Sequence, residues 1–526
     1  MKYNYFFSTL LIAFLIQTSN AQVTWSNKIA SIVYNNCSTC HHTGGIGPFN
    51  LMSYSDAVSN SLTMKSSTQS KSMPPWKPDP TYRHLKNERF LTDAQIADIA
   101  SWVDNGSPRG DISSEPIAPT YSSTSQMAVI DKTLTLPTYT VQAPIDEYRC
   151  FVVHAGNTTL KYINAIEYKP GNGAIVHHMV VYKDPSNYSD SLDQLDIMPG
   201  FQGNGTTAVS PNADFVGAWA PGEAVFSMPI EFGILLEANS DYVVEIHYAP
   251  GSMGQADSSV LNIKYTDYPS VRQVYIDAML NHFTSIIGGF GSFNIPANTQ
   301  RTFYERYTMP SFYDASILAV FPHMHKIGTS FKIWNYIPST GDSIPIINIP
   351  KWNFHWQGFY TFQKILKLGR GTKVEARATY DNTTGNPDNP SSPPVNVYAG
   401  EHTTDEMMIA FFAYTSYLPG DENIILDSSI IAGGVDISEE NPIRLNIYPN
   451  PVAQFLYVNF ETIHNGMLDF SILNAQGQLL FTNKEVVMAQ RAIATKIDIG
   501  QFSKGIYFLQ CKDEQGNKLQ KSFVVN

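Results

Sequence analysis

Two periodicities divide this chain. In residues 23–110 the apolar positions fall at helical spacing: Ile96, Ile99, Ala100 and Val103 recur every three or four residues. Thr92 stands where an N-cap is needed, Gln95 follows three residues on as in a capping box, and Gly106 can stop the helix. Another helix is predicted from Trp25 to Tyr34. From about 127 to 432 the pattern shortens to β-type runs, such as 174–182, 242–248, 316–321 and 373–380, separated by turn clusters. That spacing predicts β-sandwiches. Smaller runs at 445–448, 455–460, 468–473 and 506–511 predict a last, small β unit. The stretch 106–126, rich in Ser, Pro, Gly and Thr, reads as a linker.

Composition agrees with a mainly β, multidomain chain. The 526 residues exceed one ordinary domain, and 34 Gly, 32 Pro, 29 Tyr and 29 Phe favour strands joined by turns. The net charge of −12 argues against nucleic acid or an anionic membrane surface as partner. Residues 1–21 read as a secretory signal, with Lys2, an apolar run over 6–16, and the small-residue site Ser19-Asn20-Ala21 before Gln22. No later segment reads as a transmembrane span, so we expect an exported, soluble protein.

The helical region carries Cys37-Ser38-Thr39-Cys40-His41. Two thiols three positions apart can form thioethers to haem vinyl groups, and the adjacent His can ligate the iron. With the helices on either side, this region resembles a class I cytochrome c. That resemblance implies one covalent haem c and a Met as sixth ligand, for which Ser72-Met73-Pro74 fits; Met64 is the fallback, Met52 the next. His42 is expected at the surface. Cys150 and Cys511 remain, far apart, and no disulfide framework is expected.

The other histidines cluster in three apolar runs: His177-His178-Met179, His247 within 243–248, and His323-Met324-His325. Alternation places His323 and His325 on one face, whereas His177 and His178 share a side only if the strand bulges or ends there. A lone strand His is usually a core residue; five in three strands suggest metal, and a thioether partner leans toward copper. Their order, with Gly217-Ala218-Trp219-Ala220-Pro221-Gly222 and Asp405-Glu406-Met407, resembles the copper type II, ascorbate-dependent monooxygenases, the family of the peptidylglycine and dopamine β-monooxygenases. The resemblance covers roughly residues 130–420 and implies two jelly-roll-like β-sandwiches, each holding one copper. It assigns His177, His178 and His247 to an electron-relay copper. It assigns His323, His325 and Met407 to the copper where O₂ and substrate meet, with Met408 a rival for Met407.

The departures bear on substrate. The family's peptidylglycine branch has an Arg two residues before the His-x-His motif, where this chain has Phe321; Ile409 and Phe411 replace the rest of its carboxylate clamp. An apolar small substrate is expected rather than a glycine-extended peptide. Cys150 stands where the family has a half-cystine, and His154, His282, His355 and His402 are read as structural or surface residues. Ile447-Tyr448-Pro449-Asn450-Pro451, Gly505-Ile506-Tyr507 and the closing Lys521-Ser522-Phe523-Val524-Val525 resemble a type IX secretion sorting domain, implying that machinery as a partner. The expected order is signal 1–21, cytochrome c-like domain 22–110, linker 111–129, sandwiches 130–285 and 286–432, and sorting domain 441–526. The expected function is a secreted copper monooxygenase that takes electrons from ascorbate or another donor, with the fused haem as a source. A non-enzymatic extracellular electron-transfer or copper-binding protein is the alternative.

Overall fold

A computed structural model of the chain describes residues 22–45, 47–121, 125–127, 129–203, 210–427, 443–462, 466–474, 477–487, 493–514 and 518–525. The signal segment, and residues 433–440 between the expected second sandwich and the sorting domain, lie outside these residues. The chain divides into two compact units, residues 1–74 with 90–120, and residues 75–89 with 121–526.

The first unit is helical. A π-helical turn, Trp25–Ile29, runs into the α-helix Ala30–Asn36, and Thr24 with Asn27 forms a reciprocal capping box at its start. The helix Asp93–Asp104 begins at Thr92, whose box partner is Gln95. Between them lie Tyr54–Ser59 and Ser61–Gln69, two short helices with too few apolar positions to announce themselves in the sequence. Trp25, Ile29, Val33, Ile99 and Trp102 are fully buried at the centre. The Trp25 indole donates to Glu115 at 2.9 Å and that of Trp102 to Pro108 O at 3.0 Å. The start of the 106–126 stretch therefore packs onto the helices and is not free linker.

The second unit is built of sheets. One sandwich pairs the five-stranded sheet Phe201–Gln202, Glu147–His154, Asp241–Tyr248, Val176–Asp184, Asp214–Trp219 with a sheet centred on Val260–Tyr265, Lys161–Lys169 and Phe232–Leu236. The other pairs Tyr275–Asn281, Ile409–Ser416, Ala315–His323, Tyr360–Leu368 with Thr299–Thr308, Lys373–Asn382, Gly328–Ile337, Asp342–Ile349. A third, smaller pair of sheets over 443–525 has its own core of Leu456, Val458, Leu468, Ile472 and Leu509. Mainly β architecture, as expected, is what these residues adopt. Among the described residues no helix is long and apolar enough to cross a membrane.

Residues 75–89 differ from expectation, since the sequence places them inside a 22–110 domain. With Pro75, Pro78 and Pro80 this segment cannot be helical. It runs extended along two sheet edges: Asp79 N donates to Asn348 O and Lys86 N to Thr361 O, each at 2.8 Å. Leu85 bridges Phe362, and the Arg89 guanidinium reaches Gly222 O. The strap thereby covers edge strands that would otherwise expose unpaired backbone.

Candidate metal centres and the cavity they share

In the first sandwich, strand Asp241–Tyr248 pairs residue for residue with Val176–Asp184 until His247, which faces His178; the next pair is Tyr248 with Val176. His177 is thus the extra residue of a β-bulge, and the bulge turns both imidazoles to one side. The Nδ1 of His178 lies 3.1 Å from that of His177 and 3.4 Å from that of His247. All three ligand atoms fall within 4.8 Å of one another. Nitrogens at about 2.0 Å from a shared ion would stand roughly 3.3 Å apart, so the spacing suits one metal.

Outer partners select the tautomer. Asp146 Oδ1 accepts the Nε2–H of His247 at 2.7 Å, leaving the Nδ1 lone pair inward. Tyr148 stacks flat on that ring, 4.4 Å between centroids. His177 Nε2 lies 2.6 Å from Nδ1 of His355, which comes from the second sandwich. Burial, helped by the neighbouring imidazoles, lowers the pKa of His177 to about 3 and that of His178 well below the ordinary value. Burial also lowers His247, against the pull of Asp146. The hydrogen bond from His247 in turn holds Asp146 below its usual range. Neutral imidazoles are the form a metal requires.

In the second sandwich His323 ends its strand, and His325 follows on the same side, 5.1 Å between ring centroids. Met324 between them points into the core, fully buried. His325 Nδ1 donates to Asp405 O at 3.0 Å. Gln357 donates its amide to Phe354 O, so its Oε1 accepts from His323 Nδ1 at 2.6 Å. Both rings therefore carry their lone pair on Nε2. Burial lowers His323 to about 4 and His325 to about 3.

The ligand-bearing segments are tied together by Glu406. Its carboxyl, fully buried, accepts from the backbone N–H of His325 (2.9 Å), Ile327 (2.9 Å) and Met407 (3.1 Å). Tyr380 Oη donates to Met407 O at 2.8 Å. Met407 faces the same cavity as His323 and His325, while Met408 lies wholly in the core, its backbone engaged with His282. Both methionines precede the strand Ile409–Ser416, and of the two Met407 lines the cavity.

His177 and His178 of the first set, and His323 and His325 of the second, line one cavity between the two sandwiches, about 890 Å³ including its mouth. Beyond the candidate ligands its walls are mostly apolar: Val180, Phe215, Phe321, Ile409 and Phe411, with Phe215 stacked on Phe411 at 4.7 Å. Phe321, Ile409 and Phe411 thus stand where the sequence places them. Two carboxylates, Glu245 and Glu401, also reach the wall. Cys150 is buried with Sγ 3.6 Å from Glu245 Oε2. Sequence reasoning missed Asp146, His355 and Gln357. The last two lie on an irregular loop without periodicity, and His355 carries no motif.

In the helical unit, Cys37, Cys40 and His41 occupy one turn, with Cys40 N and His41 N both donating to Cys37 O (3.1 and 3.0 Å). His41 Nδ1 donates to Phe49 O at 2.9 Å, which puts the ring's lone pair on Nε2. A Cβ on Gly47 would stand 2.6 Å from His41 Nδ1, so only glycine lets the chain cross that ring edge. Met64 is buried in the unit's core, whereas Met73 is 36% exposed.

Comparison with known proteins sets a class on the first sandwich. Residues 132–253 match the family model of the copper type II ascorbate-dependent monooxygenase N-terminal domain. Residues 446–526 match that of the secretion system C-terminal sorting domain. The chain thus carries a copper-monooxygenase-type domain and a type IX sorting tail. No curated protein matches it. Among solved structures, a β-glucuronidase of Faecalibacterium prausnitzii is 14% identical over 43% of this chain and 37% of its own, with a TM-score of 0.14. One of Ruminococcus gnavus is 7% identical over 44% and 35%, at 0.13. The chain spans little more than a third of either, and likeness at this level carries no argument about fold or activity.

Proposed function

We propose that the protein is a secreted copper-dependent monooxygenase that hydroxylates a C–H bond of an apolar small molecule, fed with electrons through its own haem c domain. The observation that carries this reading is one mostly apolar cavity lined by His177, His178, His323, His325 and Met407. Its overall balance is R–H + O₂ + 2e⁻ + 2H⁺ → R–OH + H₂O.

His177, His178 and His247 would hold one copper through Nδ1; His323, His325 and Met407 would hold the other through Nε2 and the thioether. Bound there, copper supplies one-electron transfer and O₂ activation. The protein's own part is positional. Glu406 and Tyr380 fix the backbone that carries Met407 and His325. Phe215, Phe321 and Phe411 seat an apolar substrate and exclude water. The helical unit would hold haem c through Cys37, Cys40 and His41, with Met73 or Met64 as a further ligand, and the haem would supply electrons one at a time beside ascorbate or another donor. The sorting tail would direct this chemistry to the cell surface or beyond.

Copper quantification should return two ions per chain, and ¹⁸O₂ should label the product of a competent apolar substrate. Met407→Ala should abolish product while leaving the three-histidine copper spectrum and haem reduction intact. Copper and haem that cycle without any oxygenated product would make this a redox protein and not an oxygenase. A chain without copper would sink both readings.

A further inference from the structure

One loop of the second sandwich, residues 353–357, touches ligands of both candidate metal sites. Gln357 accepts from His323. The Phe354 ring stacks on His177 (5.5 Å, 21° between planes) and meets His325 edge-on at 6.1 Å. His355 places Nδ1 2.6 Å from His177 Nε2. The loop is braced by its own turn, His355 N donating to Asn353 Oδ1 at 2.8 Å.

The His177–His355 contact has a direction. With Nδ1 of His177 turned to the cluster, its proton sits on Nε2, and His355 Nδ1 must be the acceptor. Asp146 does the same for His247 from within the first sandwich. The three-histidine site therefore draws one tautomer-setting partner from its own domain and one from the neighbouring domain. We infer that His355 is a positioning residue for the three-histidine metal site, completing it from across the cavity so that metal binding there depends on the two sandwiches being docked. This rests on the copper reading above. It adds a role for a residue that carries no ligand atom of its own to the ion, and it makes the site of the first sandwich incomplete alone.

The test uses the full-length protein, in which His355 is exposed and its replacement leaves the core intact. His355→Ala should weaken Cu(II) at the three-histidine site roughly 10–100-fold, the usual effect of losing a partner that orients a ligating His. The electron paramagnetic resonance parameters of that copper should change, and copper at the His323–His325 site should keep its affinity. His355→Gln, whose carboxamide oxygen can accept from His177, should recover part of the loss. Asp146→Asn provides the scale, since it perturbs the other tautomer-setting contact. Affinity and spectrum of His355→Ala equal to the parent's would overturn the inference while leaving the copper reading standing. A parent that binds no copper at the three histidines would instead remove the reading on which it rests. Equal weakening at both sites would also overturn it, because the effect would then belong to the whole loop.

Discussion

Glu406→Ala is the sharpest probe of how the second site is held. Three backbone N–H groups, from His325, Ile327 and Met407, end on this one buried carboxyl. Each buried donor left unpaired costs about 1–3 kcal/mol. Water entering the space left by the side chain can satisfy one of them. With two donors left unpaired the expected loss is about 2–6 kcal/mol, large for a single substitution. For a domain of this size each kcal/mol moves Tm by roughly 2–4 °C, so the calorimetric transition that includes the second sandwich should fall by about 4–24 °C. Glu406→Gln keeps one carbonyl oxygen for the His325 and Met407 donors and should lose roughly half as much. Copper titration of the surviving fold should show weakened binding at His323, His325 and Met407, with the three-histidine site unchanged. A fall of less than about 3 °C in the Ala variant, with copper affinity intact, would refute the idea that Glu406 ties the ligand segments together.

Three further outcomes follow from the same geometry. In metal-free protein the depressed groups His177, His178, His282, His323 and His325 bind fewer protons folded than unfolded, so stability falls as pH drops below 6.5 toward about 4 and 3. The raised groups act oppositely: Glu223 and Glu406, shifted from 4.5 to about 8 by burial, lose stability as pH rises through that window, and Glu305, which burial raises well above its ordinary value, adds to the same trend. Thermal melts with chelator should therefore peak near pH 6.5, and a flat profile from pH 5 to 8 would contradict the burial argument. Phe411→Ala opens the face stacked on Phe215 and should cut kcat/KM for apolar substrates at least about 10-fold with both coppers retained, read by steady-state kinetics. Replacing Cys37 and Cys40 by Ser should abolish haem that survives denaturing electrophoresis and leave copper content unchanged; haem that persists would exclude thioether attachment.

Much of this molecule is legible in its residues because its chemistry sits on regular elements. The helix Asp93–Asp104 starts at Thr92 with Gln95 as box partner, as its apolar period and cap imply. His323 and His325 share a side because a strand alternates. Two adjacent histidines and one prospective ion require the strand to bulge or end at His177, and the register shift shows a bulge. What is not legible comes from segments whose place is set by distant partners. Residues 75–89 have no period of their own; prolines only forbid helix, and the choice of the edges at Asn348 and Thr361 depends on strands more than 250 residues away. His355 and Gln357 sit on a loop, so no spacing links them to His177 or His323, yet each fixes the proton of a candidate ligand. Local pattern thus identifies the atoms able to bind metal, while the contacts that choose which nitrogen of each ring does so arise only from tertiary packing. That is why the candidate ligand histidines can be picked out from sequence and the residues that orient them cannot.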